Sequence, residues 1–349
     1  MNGIGTNFGW GFAPGTFGEL LQGEIDGIPF LVTLPIFWGT RATFTASPTD
    51  RVRVWPPFRK KAALAVERAL AAWNAPPGGE LVIQSTLPVG KGMASSTADM
   101  VAAVRAAAGY YGVEVRPGEL ARWAASVEPS DGIMYPFISA FNPMTGQLVE
   151  RLGPVPRALV LGAMGFGRVS TVLHHRKRAP YTLSQQARLK AALDLVRRGL
   201  ATNDVTVLAQ AGLISAEVQY ERTGDTALAA LVKAARRVGV GVIVGHSGTV
   251  RGWLVPRHTP GKELKRLEDQ LKALHLGTCY RLEVGLVPRS TLSGQGPCAP
   301  LTGAPPLLGV EGGESQRQEV THRQAVGEAS DEPEHRGHEA ETPQKGTRP

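Results

Sequence analysis

The sequence contains only two cysteines in 349 residues, Cys279 and Cys298, and they do not have CxxC spacing. Thiols this few and this far apart do not indicate a disulfide framework or a zinc site. No apolar run reaches the length of about 18 residues that a transmembrane helix needs. Residues 1–15 lack the charged region and long apolar stretch of a signal peptide. We therefore expect a protein of the reducing cytoplasm without a membrane partner.

Aromatic residues are also scarce, at 6% of the chain, although the formal net charge is +8. From Arg289 onward there are 6 Lys/Arg and 9 Asp/Glu, so the preceding body has 32 basic and 21 acidic residues, a net charge of +11. Such a positive field attracts anions, including nucleotide phosphates and nucleic acids. The basic residues cluster only at 59–61 and 174–178, with no aromatic stacking platform and no zinc-finger or helix-turn-helix pattern. We interpret both clusters as solvated surface and predict no nucleic-acid partner.

Apolar periodicity predicts a mixed helix and strand region up to about residue 150. Short β-rich runs come first, and alternating or helical spacing then marks single elements. A proline in a first turn marks the start of one of the helices. The predicted elements are β-rich runs over 28–56, a helix over 57–76, a strand over 79–87, a helix over 96–111 and a helix from Pro117 that ends before Glu128.

The region after residue 150 has a different order: a strand, helices, two strands, a helix and a strand. This order is typical of a split βαβ, ferredoxin-like module. From about residue 289 the chain is rich in Gly, Pro, Ser, Gln and Glu and nearly free of aromatics, which predicts disorder. The predicted elements are strands at 157–164, 240–245, 250–255 and 279–287, and helices at 183–199, 204–217, 226–238 and 261–275.

The segment PVGKGMASST (88–97) joins a predicted strand to a predicted helix. The first turn of a helix has unpaired N–H groups and a positive dipole end, so it binds anions readily. Gly90 and Gly92 let the backbone approach a phosphate, Lys91 adds positive charge, and Ser95 and Ser96 offer hydroxyls. The segment is not a Walker A loop, because Gly follows the lysine where that pattern has Ser or Thr. The alternative is a strand-to-helix turn with a serine N-cap.

Three further stretches contain conspicuous Gly, acidic or hydroxyl residues: GELLQG (18–23), EPSDG (128–132) and HSGTV (246–250). With the segment at 88–97, they resemble the signature motifs of the GHMP kinases, in the expected order over residues 10–288. Within that family, the residues of these motifs are most similar to those of the branch that phosphorylates L-threonine. The resemblance implies an α+β protein with the two-domain GHMP kinase fold. The expected divisions are an N-terminal domain similar to ribosomal protein S5 domain 2 (1–150), a ferredoxin-like C-terminal domain (151–288) and a disordered tail (289–349).

The resemblance also implies a chemistry. ATP and Mg²⁺ are the expected cofactors, and ATP and L-threonine the expected small-molecule partners. The product would be O-phospho-L-threonine, a precursor of the aminopropanol linker of cobalamin. Two alternatives stay open: a kinase for another small hydroxyl acceptor such as homoserine, and a catalytically silent ligand sensor with the same fold. The sequence does not indicate an oligomeric state.

The motif match assigns a role to each residue of the central segment and of EPSDG. Ser96 and Glu128 are the expected Mg²⁺ ligands, and Asp131 and Lys91 the expected catalytic residues. Glu128 and Asp131 are expected on a turn that leads into another helix, and an N-cap role for Asp131 is the alternative. The expected ATP-binding residues are Pro88, Val89, Gly90, Lys91, Gly92, Met93, Ala94, Ser95, Ser96 and Thr97.

The sequence departs from the broad family pattern at three places. Thr16 replaces a lysine that is common in the first motif, and Ala94 replaces the last glycine of the central motif. The third motif is usually almost pure Gly and Ala but here contains polar side chains. A hydrogen-bonded turn residue is the alternative role for its histidine. We also expect Arg168 to meet a substrate carboxylate. The residues expected near the substrate are Glu19, His246, Ser247, Gly248 and Thr249.

Overall fold

The computed structural model describes residues 8–167, 180–246, 248–286 and 291–296. Within these residues the strands are β1 (Gly9–Ile25), β2 (Ile28–Ala46), β3 (Val52–Trp55), β4 (Gly79–Ser85), β5 (Ile138–Phe141), β6 (Leu148–Gly153), β7 (Ala158–Met164), β8 (Gly241–Val244), β9 (Val250–Pro256), β10 (Thr278–Glu283) and β11 (Ser293–Gln295). The helices are α1 (Lys60–Ala72), α2 (Ser95–Tyr111), α3 (Pro117–Val127), α4 (Leu183–Thr202), α5 (Val205–Thr223), α6 (Thr226–Val238) and α7 (Gly261–Lys272).

The long antiparallel pair β1–β2 is the centre of the fold. Ile25 pairs with Ile28, so Asp26 and Gly27 form a two-residue turn. Both turn residues have positive φ, 52° and 76°, as the hairpin turns that match strand twist require. The register of β1 against β2 shifts at three points between Pro14 and Leu21. Bulges of this kind bend a strand and re-aim its side chains, and here they fall in the first glycine-rich motif.

In the N-terminal half, β2 pairs antiparallel with β4, which pairs parallel with β3. Helix α2 lies over β1 and β2, and 13 of its 17 residues are buried. A helix that is apolar on nearly all sides belongs in a core, and its alanines let the strands approach closely. A Cβ on Gly11 would lie only 2.3 Å from the Ala102 carbonyl oxygen. This packing fixes the direction in which the N-terminus of α2 points.

The C-terminal half has the strand order β10–β7–β9–β8, with every neighbouring pair antiparallel. Helices α4 to α6 connect β7 to β8, and α7 connects β9 to β10. The βαββαβ order and this pairing confirm the predicted ferredoxin-like module. β8 also pairs with β1, through Glu19 and Val244, so the sheet continues from one half into the other.

Two predictions about local structure were wrong. No helix follows Asp131: turns and bends lead directly to β5, because Gly132 and Pro136 stand too close together for a helix to form between them. Residues 293–295, inside the segment predicted to be disordered, form β11 on the edge of β1. Backbone pairing with β1 and a hydrogen bond from the Gln295 side chain to the Tyr110 carbonyl oxygen (3.3 Å) hold this strand, and a composition poor in apolar residues did not reveal these tertiary contacts. The prediction for 297–349 lies outside the described residues.

Within the described part of the chain, every helix is too short or too polar to cross a bilayer.

Candidate active site

The three glycine-rich motifs meet at one place in the fold. The carbonyl oxygen of Lys91 accepts hydrogen bonds from the backbone N–H groups of Thr249 (2.9 Å) and Val250 (3.1 Å). The carbonyl oxygen of Gly92 accepts one from the N–H of Gly18 (3.0 Å). The central segment is thus fastened by its backbone to β1 on one side and to the turn before β9 on the other. Sequence order alone did not indicate this contact between distant motifs.

The contact between the central segment and the third motif requires glycine on both sides. Gly92 has φ of 83°, which side chains disfavour, and a Cβ there would lie 3.0 Å from the Cα of Gly248. A Cβ on Gly248 would lie 2.2 Å from the Lys91 carbonyl oxygen. Non-bonded heavy atoms do not tolerate such distances. The two glycines therefore bring the backbones together and fix the shape of the loop.

The loop leads into α2, and the N-terminus of this helix has no side-chain cap. The N-cap residue is Ala94, in the left-handed region with φ of 56°, and no side chain caps the first turn. The alternative of a serine N-cap is therefore wrong. The first-turn N–H groups are left for another acceptor, which is the arrangement of an anion site. The left-handed φ explains why glycine is the usual residue here in the family pattern.

Ser96 and Glu128, the expected Mg²⁺ ligands, are in contact with each other. Glu128 is the C-cap residue of α3, and its carboxylate is buried. The Ser96 hydroxyl donates a hydrogen bond to Oε1 of Glu128, and the ammonium group of Lys61 donates one to Oε2. A serine oxygen and a carboxylate therefore lie side by side at the start of α2, with a cation next to them.

Asp131 lies beside Thr97, the residue that follows Ser96 on α2. The Thr97 hydroxyl donates to Oδ2 of Asp131 (3.3 Å) and accepts from its backbone N–H (3.2 Å). Burial and the nearby carboxylate of Glu19 raise the pKa of Asp131 to about 7, against the smaller opposing effect of the Thr97 hydrogen bond. Glu128 adds to the rise. A carboxyl poised near neutral pH in a cleft is suited to proton transfer.

Arg59 is a residue of the site that no sequence motif predicted. Its guanidinium is 12% exposed and pairs with the carboxylate of Asp99, which also accepts from the Thr40 hydroxyl (2.8 Å). Burial raises the pKa of Asp99 to about 6, although the charge of Arg59 opposes this. Arg59 and Lys61 belong to the basic cluster at 59–61 that we interpreted as solvated surface. That interpretation was wrong for Arg59, whereas the Lys61 side chain is half exposed and also lines the cleft. The only signal for either residue was the cluster itself.

Glu19 and His246 form a buried pair behind the cleft. Oε2 of Glu19 accepts from the backbone N–H of His246 (2.8 Å) and lies 3.0 Å from its Nδ1. The Val244 carbonyl oxygen is also 3.1 Å from Nδ1. Because both partners of Nδ1 are acceptors, Nδ1 carries a hydrogen, and Nε2 lies 3.4 Å from the Ser215 hydroxyl. His246 is 2% exposed, so it orients Glu19 and does not face the cleft.

Two other predicted residues of the site point elsewhere. The ammonium group of Lys91 donates to the carbonyl oxygens of Gly165 (2.7 Å) and Gly167 (2.6 Å), and the Thr249 hydroxyl also donates to Gly165 (3.2 Å). Lys91 therefore fastens residues 165–167 to the loop. Ser247 and Arg168 lie outside the described residues.

These groups surround a cleft of about 250 Å³. Of the residues predicted for ATP binding, Pro88 and Lys91 do not line it, and of those predicted near the substrate only Glu19 does. The lining residues are Glu19, Phe58, Arg59, Lys61, Ala62, Val89, Gly90, Gly92, Met93, Ala94, Ser95, Ser96, Thr97, Asp99, Glu128, Pro129 and Asp131.

The residues present fit a nucleotide with Mg²⁺. The uncapped turn and the glycine backbone form a cradle for phosphate groups, which Cβ atoms at positions 92 and 248 would disturb. Among the described residues, no three His, Cys, Asp or Glu side chains are arranged to hold a metal ion by themselves. Mg²⁺ in proteins is commonly bound through one or two carboxylates together with substrate phosphates and waters. Ser96 and Glu128 supply the protein part of such a set.

Comparison with known proteins agrees with this geometry. Residues 58–141 match the family described as GHMP kinases N terminal domain. The L-threonine kinase of Salmonella typhimurium is 30% identical over 275 residues, which cover 76% of this chain and 89% of that protein. The L-threonine kinase of Citrobacter freundii is 31% identical over 256 residues, covering 70% and 85%.

Solved structures show the same fold. A homoserine kinase from Cytophaga hutchinsonii superposes with a TM-score of 0.62 at 17% identity, covering 81% of this chain and 97% of that one. The mevalonate kinase of Methanococcus jannaschii gives 0.58 at 14% identity, covering 81% and 98%. The predicted α+β GHMP kinase fold is thereby confirmed. The motifs, the site they build and the relatives over most of the chain agree: the protein belongs to the GHMP kinase family.

Proposed function

We propose that this protein is an ATP-dependent kinase that phosphorylates the side-chain hydroxyl of L-threonine. The observation that carries the proposal is the 30% identity to an L-threonine kinase over 76% of the chain, which spans both halves of the fold. The cleft supports it, because phosphoryl transfer needs mainly positioning and charge neutralisation, and in some enzymes a base for the hydroxyl proton.

In this proposal, the first-turn N–H groups of α2 and the backbone at Gly90 and Gly92 hold the phosphates of ATP. Ser96 and Glu128 hold Mg²⁺, which when bound neutralises charge on the phosphate oxygens. Their present hydrogen bond shows that the two groups reach the same point in space. Lys61 is the cation beside them and is positioned to balance negative charge there.

Asp131 is the residue we assign to the proton of the acceptor hydroxyl. In its ionised form it accepts that proton, and the Thr97 hydroxyl keeps its carboxylate in place. Glu19, oriented by His246, lines the same side of the cleft and faces the ammonium group of the amino-acid acceptor. Lys91 contributes positive charge to the loop. Its ammonium group is held in place by the carbonyl oxygens of residues 165 and 167.

The product of this reaction, O-phospho-L-threonine, would be the substrate of the next reaction. A decarboxylating enzyme would convert it to an aminopropanol phosphate, and we propose that this supplies the linker of cobalamin. The cytoplasmic location belongs to the same proposal.

The proposal is tested by measuring ADP release from Mg·ATP with L-threonine, L-serine, L-homoserine or galactose as separate acceptors. We expect L-threonine to give turnover well above the rate without acceptor, and L-homoserine to give little. Turnover with another acceptor alone would contradict the threonine assignment, and no turnover with any of the four would favour the ligand-sensor alternative. Ser96→Ala and Glu128→Gln should each lower turnover strongly.

The matched control is Glu150→Gln, because Glu150 pairs with Arg197 on the surface, away from the cleft. Loss of a group that only orients a metal ligand commonly costs about 10–100-fold, so loss of a ligand should cost at least as much. Full activity of Ser96→Ala and Glu128→Gln at limiting Mg²⁺ would remove both residues from the metal site.

A further inference from the structure

A second cavity of about 510 Å³ lies toward the other end of α2. Arg105 in its wall is nine residues beyond Ser96, which is about 13 Å along a helix, and none of its lining residues is shared with the cleft described above. Cavities of about 300–1,000 Å³ are typical of small-molecule sites. The lining residues are Pro14, Arg105, Ala108, Val113, Glu114, Val115, Pro117, Leu120, Ile133, Met134, Tyr135, Pro136, Phe137, Leu286, Leu292 and Ser293.

The wall of this cavity is mainly apolar. Leu120, Ile133, Met134 and Tyr135 are each less than 7% exposed to solvent and form its inner side. Glu114 is exposed, so its carboxylate belongs to the rim. A ligand would therefore bury hydrocarbon or aromatic surface here, which favours binding at about 25 cal/mol per Å².

Arg105 is the exception in this wall. It is 8% exposed, and its guanidinium donates to the carbonyl oxygens of Phe12 (2.7 Å) and Met134 (3.3 Å). No carboxylate of the described residues forms an ion pair with it, and burial alone lowers its pKa to about 10.

A buried charge without a counterion costs considerable free energy. Two neutral carbonyl bonds satisfy only part of a group with five N–H donors. A structural link between β1 and the segment after Asp131 would need only a neutral donor. The permanent charge in the wall of an apolar cavity therefore needs another explanation, and an anionic ligand supplies it, because carboxylates match the guanidinium fork.

We propose that this second cavity binds a small molecule that has one carboxylate and an apolar body, with the carboxylate on Arg105. The rest of the molecule lies against Leu120, Ile133 and Tyr135. This site is distinct from the kinase cleft, and its occupancy does not depend on ATP.

The test uses decanoate as the probe and decan-1-ol as its neutral counterpart, with dissociation constants measured by isothermal titration calorimetry on the full chain. We expect decanoate to bind wild type more tightly than the alcohol. Arg105→Met keeps an unbranched apolar side chain and removes the guanidinium charge, so it should weaken decanoate binding by about 10–100-fold, as expected for a hydrogen bond to a charged group. Decan-1-ol should bind both proteins equally.

The matched control is Arg198→Met, an exposed arginine on α4, which should leave both ligands unaffected. If Arg105→Met does not fold, Val113→Trp, which fills the cavity from the side of Val113, should weaken both ligands together. Failure of decanoate to bind wild type, equal binding by Arg105→Met, or displacement of decanoate by Mg·ATP would each overturn the proposal.

Discussion

Asp131 carries the most unusual electrostatics of the cleft. Its pKa is raised from 3.8 to about 7, mainly because burial disfavours the charged form and because Glu19 lies nearby. The folded protein therefore binds this proton more tightly than the unfolded chain does. By linkage, the residue lowers the free energy of unfolding progressively as the pH rises from about 4 through about 7. Such a cost is typical of catalytic groups, where function and stability conflict.

We predict that the kcat/KM of wild type rises with pH through about 7, because a base must be deprotonated to accept the hydroxyl proton. Asp131→Asn should lose about 10²–10⁴-fold in activity. Its residual activity should not show the rise with pH through about 7. At pH 8 the same variant should unfold at a higher temperature than wild type, because the cost of the buried charge is gone. A pH–rate series and thermal melts at pH 5 and 8 check both effects.

Asp269→Asn is the control for this prediction, since Asp269 forms an exposed i,i+4 pair with Lys265. This control variant should change neither the activity nor the rise of kcat/KM with pH. Unchanged activity of Asp131→Asn would leave substrate positioning as its role, and a lower melting temperature at pH 8 would contradict the electrostatic account.

Which residues line the cleft was predictable for most of the central motif, and not where the position of a side chain depends on tertiary contact. The motif match assigned Ser96 and Glu128 to the Mg²⁺ site, and the structure places their side chains in hydrogen-bond contact. Arg59 and Lys61 stand in no motif. They reach the cleft only because α1 packs beside α2 and α3, and charge in a sequence does not tell which face it will occupy.

At the scale of elements, the loop before α2 depends on its contact with the turn before β9. Gly248 tests this contact cleanly, because its φ is not in the left-handed region and only space is at issue. We predict that Gly248→Ala lowers the free energy of unfolding by about 1–3 kcal/mol, the usual cost of overpacking. It should also raise the KM for ATP, since the Lys91 carbonyl must move.

Gly261→Ala is the matched control, because nothing lies within 4 Å of a Cβ there and its φ is also unexceptional. It should be neutral or slightly stabilising, as alanine favours helix. Urea unfolding and ATP titrations compare the two variants. Equal stability of both would show that the loop and the turn separate without cost.

Most helices and strands were predictable because their apolar periods are regular. Helix α6, for example, runs over Thr226–Val238, the same bounds as predicted. β1 was not recognised as one strand of 17 residues, since its glycines, its proline and its bulges interrupt the alternation that marks a strand. β5, β6 and β11, with 3 to 6 residues each, were not predicted, and pairing with neighbouring strands defines them.

At the scale of the whole molecule, the two halves share one sheet. β1 belongs to the N-terminal half by sequence, yet the Phe17 ring fills the space beside Gly162 of β7, and Gly23 faces Leu189 of α4. Residues on both sides of position 150 thus complete each other's cores. The division into domains 1–150 and 151–288 stays a prediction from the sequence. It does not require that either part fold stably alone.

We therefore predict that the body of the protein unfolds in one cooperative transition. The calorimetric and van't Hoff enthalpies should agree, and amides of α2 and of β9 should exchange with the same limiting free energy. Phe17→Ala should lower the stability of both halves together, by about 3–5 kcal/mol for a fully buried ring. Mg·ATP should raise the single midpoint by mass action. Loss of protection in β7–β10 before α2, or a Phe17→Ala effect confined to one half, would show that the two halves unfold as independent domains.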